Sequence, residues 1–344
     1  MLLALHQIIK LKIMKKILLY IAALALTVPE IAEKLGGQVV FFATPAEEYG
    51  EIEFKNQLRE QGKIRYGGGK CELIRTGAFD DIDLCLAHHI QPGDEIQVGS
   101  GTGNGFVSKV IRYLGKAAHA AGAPDKGVNA LSAASLGLQA LGLNRETFRD
   151  EDCVRVHPII TKGGNLVNVI PDEIVIETLV RAKTIEAFTD AAKKTDRSFQ
   201  AGAVAMGAKV EITTLPGYLP TLAEQALPEL KRAAELAAPE VPVREAEGHS
   251  GGSTDVGDVQ HLMPVYTFNT GGVKGGLHQI NFEVTNEEEA YIDTAKMFAL
   301  AAYGLLKEKA ARSKELVKNY KPVFKDSAEY TKFMEQFDSK EVLD

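Results

Sequence analysis

The segments "GFVSKVIRYLG" (105–115) and "GVNALSAASLGLQALG" (127–142) mark the point where the pattern of this 344-residue chain changes. The first alternates as a strand does, and the second repeats its apolar residues at helical spacing. Further strand and helix patterns follow at 154–161, 173–183, 185–207 and 209–216. This β-α-β-β-α-β order predicts a ferredoxin-like α+β layer of about 110 residues, the size of a small domain.

On both sides of this insertion the pattern is that of an α/β protein. "GQVVFFAT" (37–44) is a continuous apolar run, as expected of a strand buried on both faces, and "DIDLCLAHH" (81–89) is a second one. The length also favours two domains. The predicted division is a discontinuous α/β domain, an inserted domain and a helical surface tail, at 1–104 with 214–310, 105–213 and 311–344.

Composition excludes several classes of protein. A net charge of −7 argues against a nucleic-acid or anionic-membrane surface, because both require clustered Lys and Arg. The three cysteines form no CxxC pair, so we expect a reducing, cytoplasmic compartment. "MKKILLYIAALALTVPEIA" (14–32) leaves two interpretations open, a secretory signal or a buried helix packed on 37–44. Its apolar run, 17–28, is too short to cross a bilayer.

Two adjacent acids, Glu47 and Glu48, follow Pro45, which ends the predicted strand and starts a loop. On a loop both carboxylates can turn towards one site. A metal held by one of them would lower the pKa of its bound water from about 15.7 towards 7, within reach of the other as a base. The alternative is an exposed acidic loop, since most charged side chains are solvated.

Histidines occur where predicted strands end. His88 and His89 close the second strand, and His278 lies in a glycine-containing loop after the strand pattern at 263–270. Ligands of parallel α/β sheets bind outside the carboxyl ends of the strands, so these positions indicate a metal site, although each histidine could be structural. His119, flanked by alanines in the inserted domain, is either a surface histidine or an oxyanion-stabilising donor.

The pentapeptide "GHSGG" (248–252) matches the nucleophile elbow G-x-S-x-G, with Ser250 at its centre. Asp255 or Asp258, followed by His278, could complete a Ser–Asp–His order. The preceding segment is a poor buried strand, and the pentapeptide occurs often by chance. A serine hydrolase is therefore the minor alternative, and a polar loop whose aspartates order the site or cap a helix is preferred.

Several motifs together resemble a known family. They are "TPAEE" (44–48), "LAHH" (86–89), "GKAAHAAGAPDKGVNAL" (115–131), "NVIPDE" (168–173), "VRAKT" (180–184) and "SGGSTDVGD" (250–258). They resemble the dinuclear zinc-type metallopeptidases related to aminoacylase, in the amidohydrolase branch that includes p-aminobenzoyl-glutamate hydrolase. The resemblance implies hydrolysis of N-acyl or peptide amide bonds in small, dipeptide-like substrates by a metal-activated water.

The resemblance also implies roles for individual residues. Glu47 would be the general base and Glu48 a metal ligand. His88 would bind the second metal, with His89 at a neighbouring position that varies in the family, and His278 would be the last ligand. Intact relatives carry two divalent ions per chain, zinc or manganese.

The inserted domain has its own implied roles. Residues 105–213 would form a dimerisation lid, so that the protein is a homodimer. His119 would reach the active site of the partner subunit and stabilise the tetrahedral intermediate. Asn168 and Arg181 would hold the carboxylate of the substrate.

One departure from the family is large. The family carries a segment like "GHACGHN" before a helix similar to "LLYIAALAL" (18–26), and here Met14, Lys15 and Lys16 stand where Cys, Gly and His are expected. A lysine ammonium cannot bind zinc unless it is deprotonated. The strands that precede this segment in the family have no counterpart. We therefore expect an N-terminally truncated catalytic domain with an incomplete two-metal site and little or no activity, or a non-catalytic remnant that still dimerises.

Overall fold

The computed structural model of the chain describes residues 34–344, so the predictions made for 11–32 lie outside the described residues. Its strands are β1 (Cys85–Ile90), β2 (Ile96–Val98), β3 (Thr102–Gly103), β4 (Gly105–Leu114), β5 (Arg155–Val156), β6 (Ile159–Lys162), β7 (Glu173–Ala182), β8 (Lys209–Tyr218), β9 (Val243–Glu245), β10 (His249–Ser250), β11 (Val265–Thr270), β12 (Val273–Lys274), β13 (Glu283–Val284) and β14 (Ser339–Leu343).

The α-helices are α1 (Ile52–Glu60), α2 (Gly69–Arg75), α3 (Ala130–Asn144), α4 (Ile185–Met206), α5 (Pro228–Ala237), α6 (Val256–Gln260), α7 (Thr294–Asn319) and α8 (Ser327–Met334). A π-helical turn, Glu288–Asp293, leads into α7, which is interrupted by non-helical backbone at 307–310. Within residues 34–344 no helix is both long and apolar enough to span a membrane.

The larger sheet has six antiparallel strands in the order β14-β8-β4-β7-β5, and β6 also pairs with β7. Helices α3 and α4 begin at side-chain caps, Asn129 and Thr184. They pack closely because Gly202 has no side chain, and a Cβ there would lie 2.2 Å from the carbonyl oxygen of Ala133. The sheet and its helices bury aromatic residues such as Tyr113 and Phe199.

The smaller sheet is mixed, in the order β1-β11-β2-β9. Strands β1 and β11 are parallel, β11 and β2 are antiparallel, and β2 and β9 are parallel. Helices α5 and α7 cover one face of it, where Val98, Phe268, Leu230 and Met297 are buried together. The parallel pairing of β1 with β11 places the carboxyl ends of both strands at the same edge.

The strand predicted over 37–44 is wrong. In the described structure these residues are extended but belong to no sheet, and the side chains of Val39 and Val40 are exposed. A strand buried on both faces needs neighbouring strands for its backbone groups and covering elements for its side chains. Among residues 34–344, 37–44 have no such strand beside them, and Phe42 stacks on Phe79 instead.

The C-terminal tail differs from the predicted surface helix. Helix α8 is present, but 339–343 form β14, which pairs with β8 at the edge of the larger sheet. The fully buried Tyr330 donates a hydrogen bond to Asp258 at 2.8 Å, and the ring of Phe337 packs edge-on against Phe188 of α4. The tail therefore joins the larger sheet to the part of the chain that contains the smaller one.

This junction predicts a pH dependence of stability. Burial raises the pKa of Asp258 to about 8, whereas the Tyr330 hydroxyl and the Leu219 N–H oppose the shift. Between about pH 4 and pH 8 the folded chain keeps a proton that the unfolded chain releases, so this carboxyl's contribution to the free energy of unfolding falls as pH rises.

We expect the variant Asp258→Asn to gain stability relative to the wild type as the pH increases. Urea unfolding at about pH 5, 7 and 9 measures this difference, and Asp125→Asn, at an exposed position, is the matched control. Burial also raises the pKa of Glu224 to about 8, but this carboxyl is present in both proteins and cancels in the comparison. Parallel pH profiles for the wild type and Asp258→Asn would contradict the expectation.

Candidate active site

A cavity of about 1800 Å³ opens beside the smaller sheet. It is lined by the extended segment 35–48, by β1, by the connection 99–103 and by the loop 246–256, with α7 at the far side. The five carboxylate and histidine positions predicted around the strand ends all line it, namely Glu47, Glu48, His88, His89 and His278. The structure therefore brings together residues that lie up to 231 positions apart in the sequence.

Two of the predicted metal ligands, Glu48 and His278, lie close together. The Nε2 atom of His278 lies 3.8 Å from Oε1 of Glu48, and both side chains are more than half exposed. His278 has a left-handed backbone with φ of 62°, which is uncommon for a residue with a side chain and occurs where the surrounding structure requires it. The turn that starts at Gly275 thus directs the imidazole towards Glu48.

Glu47 is held at two points. The hydroxyl of Thr254 donates to its Oε1 at 3.2 Å, and the hydroxyl of Tyr218 donates to its main-chain oxygen at 2.6 Å. Its side chain is half-buried. The carboxylate therefore contacts the loop that contains the "SGGSTDVGD" motif, while its backbone is fastened to the end of β8.

A buried ion pair stands behind this contact. The fully buried carboxylate of Asp255 accepts hydrogen bonds from the main-chain N–H of Lys70, at 2.9 Å, and from the Lys70 ammonium. Burial raises the pKa of Asp255, Lys70 opposes the shift, and the nearby charge of Glu47 adds to it. Asp255 and Glu47 therefore lie close enough for their charges to interact.

Strand alternation separates the two neighbouring histidines. The Nε2 atom of His88 hydrogen-bonds the hydroxyl of Thr270 at 2.8 Å, and its ring packs on Phe268 and Phe298. His89 lies on the opposite face of β1, the face on which Cys85 packs with the core of the larger sheet. Both residues line the cavity, but their imidazoles leave β1 on opposite faces, and His88 is the one that packs into the protein interior.

Arg181 extends from β7 towards the same region. One of its terminal nitrogens donates to the hydroxyl of Ser253 at 3.3 Å, and its guanidinium lies over the ring of Phe106. Burial lowers the pKa of Arg181, against the favourable charge of Glu48. Its Nε is buried and has no hydrogen-bond partner within the described part of the chain. Such a guanidinium can bind a carboxylate ligand by donating hydrogen bonds to it.

His119 and Asn168 lie together elsewhere. The main-chain N–H of Ala120 donates to the carbonyl of Asn168 at 2.9 Å, and both side chains are exposed. Nδ1 of His119 accepts from the N–H of Gly122 at 3.0 Å, so the neutral ring carries its proton on Nε2. Among the described residues that line the cavity, neither of the two is present.

The described structure does not form the Ser–Asp–His arrangement that was the alternative for Ser250. Ser250 belongs to β10, which pairs with β3, and its hydroxyl accepts from the N–H of Gly252 at 3.1 Å. Asp255 is committed to Lys70 and Asp258 to Tyr330, and His278 faces Glu48. No hydrogen bond within residues 34–344 connects Ser250 to a histidine or an aspartate. The "GHSGG" pentapeptide is a loop and a short strand rather than a nucleophile elbow.

The described residues do not complete a metal site. Within 34–344 there is no group of three or more His, Cys, Asp or Glu side chains arranged to hold a metal ion. Glu48 and His278 are a pair, whereas a catalytic zinc takes three protein ligands. Met14, Lys15 and Lys16 lie outside the described residues.

Sequence reasoning missed the residues that hold the predicted ones. Lys70 and Tyr218 contact Asp255 or Glu47, yet neither belongs to a pattern that identifies a site, and the "SGGSTDVGD" motif gave the hydroxyl of Thr254 no role. The motif "SGGSTDVGD" did predict that this loop orders the site. Which of its hydroxyls would meet a carboxylate depends on contacts between residues about 200 positions apart.

Because the two β1 histidines have different environments, we expect their substitution by alanine to lower the free energy of unfolding by different amounts. His88→Ala leaves a gap against two aromatic rings and removes a partner of Thr270, so we expect it to lower the free energy of unfolding by about 2 kcal/mol. His89→Ala, at an exposed position, should change it by less than about 0.5 kcal/mol. Urea unfolding of both variants measures the difference, and equal losses would contradict the assignment of faces.

The sequence of this chain is similar to those of known hydrolases. The Xaa-Arg dipeptidase of Mus musculus is 29% identical over 262 residues, covering 74% of this chain and 57% of that protein. One chain of the p-aminobenzoyl-glutamate hydrolase of Escherichia coli is 31% identical over 140 residues, covering 40% of this chain and 27% of that one. The protein thus spans little more than half the length of the first of these relatives.

A solved structure supports the fold. The aminobenzoyl-glutamate utilization protein of Klebsiella pneumoniae superposes with a TM-score of 0.56 at 20% sequence identity, over 83% of this chain and 66% of that one. At this identity the likeness concerns the fold alone, two mixed layers of α-helices and β-sheet. Residues 12–303 match the family described as Peptidase family M20/M25/M40. The chain belongs to peptidase family M20/M25/M40.

Proposed function

We propose that this chain is a metal-dependent amidohydrolase that cleaves N-acyl or peptide amide bonds in small substrates with a free carboxylate. One observation carries the proposal, namely that Glu47, Glu48 and His278 line one cavity while Arg181 donates a hydrogen bond to Ser253, which lines the same cavity. Zinc or manganese dependence is part of the proposal, and Glu48 and His278 are the donors that the described residues contribute.

Glu47 is the general base in this proposal. Its carboxylate takes a proton from the water that attacks the amide carbonyl and later delivers it to the leaving amine. Its place at the cavity, with one carboxylate oxygen held by the hydroxyl of Thr254, supports this role. Family membership and the contacts of the 44–48 loop support assigning the base to Glu47 and metal binding to Glu48.

Arg181 binds the carboxylate of the substrate. Its guanidinium has one buried N–H without a protein partner among the described residues and another on the hydroxyl of Ser253. A carboxylate can accept two parallel hydrogen bonds from a guanidinium, which fixes its orientation as well as its position. Dipeptides and N-acyl amino acids both carry such a group beside the bond to be cleaved.

Residues 105–213 form the dimerisation lid of this proposal, inserted into a catalytic domain of 1–104 and 214–310. The antiparallel strand order β8-β4-β7-β5 within 105–218 supports a ferredoxin-like layer. The exposed position of His119 beside Asn168, away from the cavity of its own chain, supports a role at the partner subunit's active site. There the Nε2–H of His119 would donate to the developing oxyanion.

The base assignment predicts the effect of one substitution. The wild type, supplied with zinc or manganese, should hydrolyse at least one of a panel of Xaa-Arg dipeptides, p-aminobenzoyl-glutamate and N-acetyl amino acids. Glu47→Gln should lower kcat by about 10²–10⁴-fold, because an amide cannot take the proton. Glu247→Gln changes another carboxylate that lines the same cavity and is the matched control. Equal activity of Glu47→Gln and the wild type would contradict the proposal.

The second candidate is a non-catalytic protein that dimerises through the same layer. Two observations favour it. Within residues 34–344 the pair of Glu48 and His278 has no third ligand that would complete a metal site, and all six strands of the larger sheet are formed. Metal analysis distinguishes the two candidates. Two tightly bound ions per chain together with hydrolysis would exclude the non-catalytic function.

Dimerisation is testable at the exposed apolar edge around β6. The side chains of Ile159, Ile160, Leu166 and Val167 are exposed there. We expect the double substitution Ile160→Asp with Val167→Asp to convert a dimer into a monomer in light scattering, because it places charges in an apolar contact. Val323→Asp, at an exposed position in the tail, is the control. A monomeric wild type, or an unchanged dimer in the double variant, would contradict this interface.

A further inference from the structure

We propose that Thr254 is a positioning residue for Glu47, whose hydroxyl holds one carboxylate oxygen of the base in place at the cavity. The inference rests on the proposed function, and it assigns a role to a residue of the "SGGSTDVGD" loop for which the family resemblance implied none. Thr254 lies 207 residues from Glu47 in the chain, and the contact is formed only in the folded protein.

The direction of the hydrogen bond is determined by its partners. The Oγ1 atom of Thr254 lies 3.2 Å from Oε1 of Glu47 and 3.4 Å from the main-chain nitrogen of Val256. A hydroxyl has one hydrogen, and an ionised carboxylate has none to give. The N–H of Val256 donates to the hydroxyl, so the hydroxyl hydrogen points to Glu47. The Thr254 side chain is thereby held from both sides.

Helix α2 anchors both loops that form this contact. Its Lys70 binds the buried carboxylate of Asp255, the residue after Thr254. Its first residue, Gly69, donates a main-chain hydrogen bond to the carbonyl of Ala46, the residue before Glu47, at 3.2 Å. A Cβ at Gly69 would lie 1.8 Å from the carbonyl oxygen of Pro45, so the loop rests directly on the helix. The spacing between Thr254 and Glu47 is therefore set by one rigid element.

The backbone and the carboxylate of Glu47 are fixed separately. Tyr218 holds the main-chain oxygen at 2.6 Å, and Thr254 holds Oε1, at the other end of the side chain. A glutamate side chain has three rotatable bonds between these points, and its freedom is costly to restrict at the moment of reaction. Thr254 restricts it beforehand, which is the requirement for a base that must meet a water at a defined position.

Two substitutions at this position separate the hydroxyl from the rest of the side chain. Thr254→Val keeps the shape and removes the donor, whereas Thr254→Ser keeps the donor. We expect Thr254→Val to lower kcat by about ten- to a hundredfold, the effect of losing one hydrogen bond to a charged group, with KM within about twofold of the wild type. Thr254→Ser should restore most of kcat. If the role of Thr254 were purely structural, Thr254→Val would not lower kcat while leaving KM nearly unchanged, and Thr254→Ser would not restore kcat.

The neighbouring residue supplies the matched control. Ser253→Ala removes the hydroxyl that contacts Arg181, so it should raise KM for carboxylate-bearing substrates more than it lowers kcat. Urea unfolding of each variant verifies that the proteins remain folded, and only folded variants are compared.

The outcomes for the proposed function and for this inference are distinct. A wild type that hydrolyses no substrate of the panel overturns the proposed function and the inference with it. An active wild type whose kcat survives in Thr254→Val overturns the inference alone. So does an equal loss of kcat in Thr254→Val and Thr254→Ser, because the hydroxyl would then not be the group that matters.

Discussion

The buried contact between Asp255 and Lys70 is the constraint on which the candidate site depends. A fully buried carboxylate is costly unless it is paired, and Lys70 supplies both a main-chain N–H and its ammonium. The pairing fixes the 250–258 loop to α2, and α2 also carries the 44–48 loop through Gly69. Loss of either partner would leave a buried charge without compensation, so the relative position of these two loops follows from one ion pair.

A second buried aspartate connects the two parts of the chain. Asp258 accepts hydrogen bonds from Tyr330 and from the N–H of Leu219, just after β8. The tail that carries Tyr330 continues into β14, whose pairing with β8 completes the larger sheet. The sheet that bears Arg181 is therefore tied to the loop that bears Thr254 from both sides. This arrangement limits how far the proposed lid can move relative to the cavity, because movement would break buried polar contacts.

The cavity combines features of an active site with an incomplete donor set. Glu48 and His278 approach each other, yet within residues 34–344 no third donor joins them. The side of the cavity formed by 38–42 and β1 has exposed apolar residues, such as Val39 and Val40, beside its polar ones. The hydrolytic candidate uses the polar groups, whereas the non-catalytic candidate requires only the larger sheet. Both candidates therefore agree with the same fold and differ in chemistry.

The sequence by itself determined the helices and long strands within 105–218, because their periodicity and caps at Asn129 and Thr184 are local properties. Its motifs also picked out five residues that line the cavity, namely Glu47, Glu48, His88, His89 and His278, although other acids and histidines such as Asp81 and His249 line it too. Only the tertiary structure decided that 37–44 are not a strand, that 339–343 are one, that His88 and His89 face apart, and that Thr254 meets Glu47. These outcomes depend on strand partners and on contacts between distant segments, which no local pattern contains.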